Sequence, residues 1–283
     1  MAKLAAAGLA CLVTMPLAAA DPAPRRVVSM NVCTDQLAML VAGEGQLHSV
    51  SFLAADPGMS VLASQADAYT PNHGRAEEVF LMQPDLVLAG MYTAQPAVTM
   101  LRRLGFRVEQ FAPESSFEGI RENIVRMGRL LGRERRAADL VAELDAGLAA
   151  LKEREGPPLT VAVYSSNSYT SGPGSLSHAV IEAAGLTNIA DRLGIKGVQR
   201  LPLEELVLQQ PDLVVMGEQD YGLPALAQQN FNHPAFSAVA TPDRMVRIPD
   251  RYWICGAPFT LEAVRMLSEA ARKWTQHEAG LRR

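Results

Sequence analysis

Two stretches of the sequence that lie 127 residues apart are built in the same way. Residues 76–90 are AEEVFLMQPDLVLAG, and residues 203–217 are LEELVLQQPDLVVMG. The match has no gap, because 204 − 77 and 211 − 84 both equal 127. In each copy a proline, which cannot continue a helix, precedes an apolar run typical of a strand buried in a parallel sheet. We therefore predict a short helix, a proline that ends it, and a buried strand in each copy.

This repeat predicts a chain with two lobes of similar construction. Similarity at a fixed offset within one chain indicates that a structural unit occurs twice. A plainer interpretation is that helix, Pro-Asp and strand occur twice by chance, since this combination is common in α/β proteins. The ungapped match over the whole unit favours the two lobes.

A helical segment separates the two copies. In Ser115–Leu131, the S-x-x-E pattern of Ser115 and Glu118 predicts a capped helix start, and apolar residues then recur at helical spacing. A longer helix is predicted over Arg133–Glu155, where Gly156 and two prolines end it. At about 1.5 Å per residue this helix spans roughly 30 Å, the width of a domain.

The first twenty residues have the features of a secretory signal peptide. Met1–Ala20 has one early lysine, an apolar run, and three alanines before Asp21. The run is too short to span a membrane, and Gly8 stands where a lipoprotein signal before Cys11 has leucine, so we expect a soluble exported protein. The formal net charge of −4 and the absence of basic runs argue against nucleic acid as a partner.

Residues suited to ligand binding fall on the predicted loops after strands. The Cys33-Thr34-Asp35 turn follows the predicted strand Arg26–Met30, and open α/β sheets bind ligands at such strand ends. The polar segment Asp56–Gly74, which carries His73, is predicted to be one long loop. His73 could reach a cleft as a hydrogen-bond donor or a metal ligand, or could simply be solvated.

Aromatic and cationic residues occur on the same predicted loops. Flat rings with a polar tip suit a large, rigid, partly apolar ligand, although packing explains each ring alone equally well. Three arginines could pair with an anionic ligand through charge-assisted hydrogen bonds, or could be surface charges. The aromatic residues are Tyr69, Tyr92, Tyr164, Tyr169, Tyr221, Tyr252 and Trp253, and the arginines are Arg75, Arg200 and Arg251.

Two cysteines, Cys33 and Cys255, follow the predicted signal peptide. An exported protein meets conditions that permit disulfides, so a bridge between them is one possibility. They could instead contact a ligand or metal, or remain two unpaired buried residues. Together with Asp35 and His73 they could form a soft site for zinc or copper, although the usual short metal-binding spacings are absent.

The sequence lacks the common signatures of an exported hydrolase. It has no G-x-S-x-G elbow, P-loop, H-E-x-x-H helix or dinucleotide-binding glycine pattern. An enzyme would have to use Asp35, His73 or a serine. We therefore favour binding and delivery over catalysis, with a hydrolase or an exported metal-ion-binding protein as the alternative.

The chain after residue 20 resembles the periplasmic solute-binding proteins of ABC importers, in the class that carries iron–siderophore complexes, cobalamin or haem. The matching features are the exported start, the strand that begins at Arg26, the twin Glu…Pro-Asp-Leu-Val units, the capped central helices and the segment Trp253–Phe259. The resemblance implies an α/β fold of class III: two similar lobes, each a central mostly parallel sheet flanked by helices, joined by one long rigid helix. The implied boundaries are a signal peptide at 1–20, a lobe at 21–115, linking helices at 116–156 and a second lobe at 157–283.

The resemblance also implies a function. It implies a periplasmic monomer that captures an iron–siderophore, cobalamin or related metal chelate between the lobes. The protein would deliver this ligand to an inner-membrane ABC permease and its ATPase. It would not be an enzyme and would have no resident cofactor or metal. The expected ligand contacts are Asp35, His73, Tyr92, Tyr164, Tyr169, Tyr221, Arg251 and Trp253.

Two glutamates are candidates for docking onto the permease. In the proteins that this chain resembles, one glutamate at the top of each lobe contacts permease arginines, and the repeat puts Glu77 and Glu204 in the matching positions, with Glu78 and Glu205 beside them. Alternatively, these carboxylates only stabilise helix starts through the helix dipole.

Overall fold

The computed structural model describes residues 22–151, 159–217 and 226–281. The predicted signal peptide, the Gly156–Pro158 helix stop and Tyr221 lie outside these ranges. The described residues form two parallel sheets with helices on their faces, which confirms the predicted α/β class. Across those three ranges, no helix combines the length and apolarity that a membrane crossing requires.

The first sheet has five parallel strands in the order β3-β2-β1-β4-β5. Its elements are β1 (Val27–Ser29), α1 (Val32–Val41), β2 (Leu47–Ser51), α2 (Ala63–Ala66), β3 (Thr70–Asn72), α3 (Ala76–Met82), β4 (Leu86–Gly90), α4 (Gln95–Arg103) and β5 (Val108–Phe111). Then follow α5 (Phe117–Leu131) and α6 (Glu134–Leu151).

The second sheet follows these helices in sequence. Its elements are β6 (Thr160–Val163), β7 (Tyr169–Ser171), α7 (Leu176–Ala183), β8 (Thr187–Asn188), α8 (Ile189–Arg192), β9 (Val198–Arg200), α9 (Leu203–Gln209), β10 (Leu213–Gly217), α10 (Pro234–Val239), β11 (Met245–Ile248) and α11 (Thr260–Leu281). Four of the strands form a parallel sheet in the order β8-β6-β10-β11, and β7 pairs with β9 in a small antiparallel sheet.

The two parallel sheets have the same topology. The order β2-β1-β4-β5 in the first corresponds to β8-β6-β10-β11 in the second, and β3 is an additional edge strand. In each sheet the strand order reverses next to the first strand, between β1 and β4 and between β6 and β10. Ligands of open α/β sheets bind at the carboxyl ends of the strands at such a reversal. The topology therefore marks one candidate ligand edge in each sheet.

The twin units have matching structures, as the repeat predicts. Each has a seven-residue helix, α3 or α9, and a five-residue buried strand, β4 or β10, at the same offset of 127. The helices end at Gln83 (φ 48°, ψ 55°) and Gln210 (φ 42°, ψ 59°), both in the left-handed conformation that is uncommon outside glycine. The proline that follows each glutamine cannot continue a helix, so it fixes the exit towards the strand.

The aspartate of each Pro-Asp pair fastens the neighbouring strand. Asp85 accepts hydrogen bonds from the backbone N–H groups of Arg25 (2.6 Å) and Arg26 (3.0 Å), just before β1. Asp212 accepts from the backbone N–H and the hydroxyl of Thr160, both at 2.7 Å, at the start of β6. Each carboxylate therefore ties the first strand of its sheet to β4 or β10. The repeated Pro-Asp has a structural role in both copies.

The first central helix begins one residue later than predicted. Its N-cap is Ser116, whose hydroxyl accepts a hydrogen bond from the Gly119 N–H at 3.1 Å. The predicted capping box of Ser115 and Glu118 is therefore wrong, because the third helical position holds a glycine. The Glu118 carboxylate instead pairs with Arg121 at 3.1 Å.

The helices between the sheets pack into one continuous core. A side chain at Gly128 of α5 would meet Ala137 of α6 at 2.5 Å, so the glycine allows these helices to approach closely. A side chain at Gly147 would meet Leu261 of α11 at 2.3 Å, which places α6 against α11 as well. Buried residues of α1, α5, α6 and α11 belong to one apolar cluster. Packed helices thus join the two sheets.

The predicted long loop Asp56–Gly74 is partly wrong, because it contains α2 and β3. The strand β3 pairs in parallel with β2 at the sheet edge. Its residues are Thr, Pro and Asn, and proline is tolerated in edge strands, but such a segment has no apolar strand pattern. Buried Asn72 fixes it by donating to the Ser29 carbonyl and the Ser49 hydroxyl, both at 2.8 Å.

Candidate functional site

The loops that follow the strands of the two sheets meet each other. Cys33, shortly after β1, forms a disulfide with Cys255, which follows β11, and their Cα atoms are 5.1 Å apart. Beside it, the Gly256 N–H donates to Glu114, which follows β5, at 3.2 Å. These contacts bring the carboxyl edge of the first sheet against the loop after β11.

Among the three possibilities left open for the cysteines, the structure has the disulfide. The suggested soft metal site of Cys33, Asp35, His73 and Cys255 is therefore wrong, because both sulfur atoms are bonded to each other. No group of three or more His, Cys, Asp or Glu residues within 22–151, 159–217 and 226–281 could hold a metal ion.

A recess of about 190 Å³ opens beside the disulfide. It lies at the carboxyl ends of β1, β4 and β5, which includes the β1/β4 reversal. Ligand pockets typically enclose roughly 300–1,000 Å³, so the recess is smaller than a typical ligand pocket. Both sheets contribute to its lining, which includes Asn31, Thr34, Met91, Tyr92, Glu114 and Ile254.

Glu114 forms one wall of this recess. Its carboxylate accepts hydrogen bonds from the Asn123 side-chain amide at 2.6 Å and from the Gly256 N–H. Burial raises the pKa of Glu114 above its ordinary value, and these hydrogen bonds oppose the shift. The Glu114 carboxyl group thus links α5 with the loop after β11 beside the recess.

Three ring side chains form an exposed rim on the first sheet. Phe52, His73 and Tyr92 follow β2, β3 and β4, and Tyr92 is 86% exposed. The Phe52 and His73 rings stack with their centroids 5.2 Å apart. In the strand order β1 lies between β2 and β4, so Tyr92 stands apart from the Phe52–His73 pair on the same sheet edge. Each exposed ring provides apolar surface that is accessible to a ligand.

His73 is held by Glu78 on α3. The His73 Nδ1 lies 3.2 Å from the Glu78 carboxylate, and the His73 backbone N–H donates to the same carboxylate at 2.7 Å. That backbone hydrogen bond is the main reason why the pKa of Glu78 is below its ordinary value. This arrangement leaves Nε2 as the ring nitrogen not bonded to Glu78, as in histidines whose second nitrogen binds a metal.

The second half of the chain presents aromatic and cationic residues on the small antiparallel sheet and after β11. Tyr169 on β7 is exposed, and the Arg200 guanidinium lies 5.8 Å from its ring centroid. After β11, Arg251 lies 5.0 Å from the Tyr252 ring and donates to the Pro57 carbonyl at 3.3 Å. Arg251 therefore links the two sheets. The remaining candidates are half-buried Trp253 and Tyr69, which pack against the main core, and exposed Arg75, 3.9 Å from Glu78.

Two of the residues predicted to contact the ligand have fully buried side chains. Asp35 accepts hydrogen bonds from the Ser51 backbone N–H at 3.0 Å and hydroxyl at 2.5 Å, and burial raises its pKa to about 6. Tyr164 stacks on Phe236 with centroids 5.5 Å apart, and its hydroxyl lies 2.9 Å from the Ser168 hydroxyl. Both follow a strand at the expected edge, but both point into the core.

Four residues at these strand ends carry no prediction from the sequence: Phe52, Met91, Glu114 and Ile254. The first two come directly after β2 and β4, where an apolar residue cannot be distinguished from the end of the strand itself. Glu114 and Ile254 stand far apart in sequence, and their proximity depends on the contact between the sheets. Only Phe52 and Met91 could have been found from the sequence, because each directly follows a strand.

The structure distinguishes the candidate docking glutamates from their neighbours. Glu77 and Glu204 are exposed in the first turns of α3 and α9 and form no ion pair with any described residue. Glu78 and Glu205 are less exposed, since Glu78 holds His73 and Glu205 accepts from Gln209 at 2.8 Å. Each unit therefore presents one unengaged carboxylate at the same position.

The chain is similar in sequence to known binding proteins. The profile of the periplasmic binding protein family matches residues 27–244. A cobalamin-binding protein of Halobacterium salinarum is 31% identical over 237 residues, which is 82% of this chain and 62% of that protein. The chain therefore spans less than two thirds of the length of this relative.

The fold is similar to those of solved binding proteins. The haem-binding protein of Roseiflexus sp. RS-1 superposes with a TM-score of 0.71 at 21% identity, over 87% of this chain and 99% of that one. The vitamin B12-binding protein of Vibrio cholerae has a TM-score of 0.66 at 18% identity, over 89% and 98%. At these identities the likeness concerns the fold.

Proposed function

The chain belongs to the periplasmic binding protein family and has its class III fold, and on this basis we propose that it captures a metal chelate between its two sheets for an ABC importer. The observation that carries the proposal is the disulfide-linked meeting of the two strand edges. It places Tyr92 and the recess of the first sheet beside the loop after β11. We propose lobes at 21–115 and 157–283 around linking helices at 116–156.

Cobalamin or a related corrinoid is the first ligand class that we propose. The relative with 31% identity is named a cobalamin-binding protein, although the chain spans only part of it. The rim of Phe52, His73 and Tyr92 fits a rigid, partly apolar ring system, and the free Nε2 of His73 can face its metal. Haem and ferric siderophores share these properties and form the second class to test.

The ligand would be delivered to an inner-membrane permease with its ATPase. We propose that Glu77 and Glu204, the two unengaged carboxylates on α3 and α9, bind basic residues of the permease. Two separated charges define both position and orientation, and salt weakens their attraction. In this proposal residues 1–20 direct export and the mature protein acts in the periplasm as a monomer without catalytic activity.

The experiment is mass spectrometry of the protein purified from its native host, followed by equilibrium dialysis with the recovered compound. A retained, chemically unmodified metal chelate that rebinds with one molecule per chain supports the proposal. Turnover of the compound, or of a model ester, would support a hydrolase instead. The structure pairs Asp35 with Ser51 and His73 with Glu78, so those residues do not form a hydrolytic Asp–His pair.

A further inference from the structure

Two exposed leucines occupy matching positions in the twin units. Leu81 on α3 is 79% exposed and Leu208 on α9 is 74% exposed, and 208 − 81 is again 127. Single exposed apolar residues are ordinary on protein surfaces. Here the same residue type, exposure and structural position occur twice, while Val79 and Leu206 in the same helices are fully buried. The match therefore points to a shared role of the two surfaces.

Each leucine lies on the same helix face as a docking glutamate. Leu81 is four residues after Glu77, and Leu208 is four residues after Glu204, and residues at this spacing are neighbours on a helix. The glutamates are exposed and unengaged, as described above. Each unit thus presents one free carboxylate and one exposed leucine about one helical turn apart.

We propose that these two Glu–Leu pairs form a two-part docking surface for a permease with two similar halves. Each half would supply a basic side chain for the glutamate and an apolar contact for the leucine. This inference rests on the proposed function and adds the apolar part of the contact. The carboxylates steer and orient the complex, whereas desolvation of the leucines slows its dissociation.

Charge complementarity determines which partner this surface fits. Its acidic residues require a basic partner, so an anionic lipid surface is repelled. A second copy of this chain would bring like charges together if the same surfaces met. A membrane protein with two similar halves, each of which has basic residues beside apolar ones, matches the glutamate and the leucine of each Glu–Leu pair.

The test uses Leu81→Ala, Leu208→Ala and the double variant, because alanine preserves the helix. Binding to the cognate permease, reconstituted in lipid nanodiscs, is measured by its dissociation constant. Each single variant should weaken binding by roughly fivefold or more, and the double variant further. Val198→Ala, at a 63% exposed residue of β9, is the matched control and should change nothing. Melting temperature and chelate affinity should stay at wild-type values in all four variants.

The outcomes separate this inference from the proposed function. Normal permease binding by the leucine variants, with loss of binding in Glu77→Ala plus Glu204→Ala, would overturn the role of the leucines and leave the delivery function intact. A loss with only one leucine variant would overturn the two-part surface. Changed self-association in sedimentation, with unchanged permease binding, would assign the leucines to a second copy. Normal permease binding by the leucine and glutamate variants alike would contradict both proposals.

Discussion

Cys33 and Cys255 stand 222 residues apart in sequence, and a disulfide joins them with their Cα atoms 5.1 Å apart. The bond links the first turn of α1 to the segment after β11, at the wall of the candidate ligand recess. It limits how far these two segments can separate.

The disulfide leads to a first prediction about thiols and stability. Unreduced, denatured protein without residues 1–20 should have no thiol that can be labelled, and two after reduction. A closed loop of this length contributes about 5 kcal/mol to the free energy of unfolding in chain-entropy estimates, before strain. Replacing both cysteines with serine should therefore lower the melting temperature markedly. Two labelled thiols without a reductant would contradict the bridge.

A second prediction contrasts two tyrosines. Tyr92→Ala should weaken ligand binding at least tenfold and leave the melting temperature nearly unchanged, because the ring is exposed beside the recess. Tyr164→Ala is the matched control. It should lower the free energy of unfolding by about 3 kcal/mol or more, because it empties a buried aromatic site. Titration calorimetry and chemical denaturation measure the two effects, and unchanged affinity in Tyr92→Ala would remove this residue from the site.

A third prediction concerns the pH dependence of stability. Because burial raises the pKa of Asp35 from 3.8 to about 6, the folded state holds its proton more tightly than the unfolded state. The contribution of protonated Asp35 to the free energy of unfolding is therefore fully present below pH 4. It is lost as the pH rises through 6, and the loss is up to about 3 kcal/mol. Glu114, whose pKa burial also raises, acts in the same direction.

Asp35→Asn isolates the effect of this group. The variant keeps an acceptor for Ser51 but cannot ionise, so its loss of stability between pH 4 and pH 7 should be smaller than that of the wild type. Urea unfolding at both pH values measures the difference. Identical pH profiles would show that Asp35 does not titrate in this range.

A fourth prediction concerns the paired aspartates. Asp85→Ala and Asp212→Ala should each lower the free energy of unfolding by about 1 to 3 kcal/mol, because each removes two charge-assisted hydrogen bonds at a strand start. Exposed Asp67→Ala is the control and should have little effect. Stability equal to the wild type in both variants would show that the Pro-Asp pairs do not fasten β1 and β6.

The sequence predicted the parts of the fold that local pattern determines. The twin units have the predicted helix and strand, because proline and continuous apolar runs are strong signals. The edge strand β3 was missed because Thr-Pro-Asn has no such run. Its pairing depends on Asn72, whose hydrogen bonds reach residues of other strands.

The candidate site was less predictable than the fold. Sequence position correctly placed Tyr92 after a strand, but it also selected Asp35 and Tyr164, which follow strands and point inwards. His73 was predicted to lie within one long loop, whereas it directly follows β3. The direction of a side chain after a strand depends on how the loop packs, and no periodicity encodes it. Glu114 and Ile254 meet only because the two sheets approach each other, so no local pattern could identify them.

The central claim is that the meeting strand edges bind one metal chelate. Thermal unfolding of the purified protein with cobalamin, haem, a ferric hydroxamate or a ferric catecholate tests it directly. A ligand at a hundred times its dissociation constant should add about 2.7 kcal/mol of stability, a rise in melting temperature of roughly 5 to 10 °C. We predict this rise for one of these ligand classes, with cobalamin first. In Tyr92→Ala at the same ligand concentration the rise should fall to about half or less, because a ligand that binds tenfold more weakly adds only about 1.4 kcal/mol. An unchanged melting temperature with all four ligands would contradict the account.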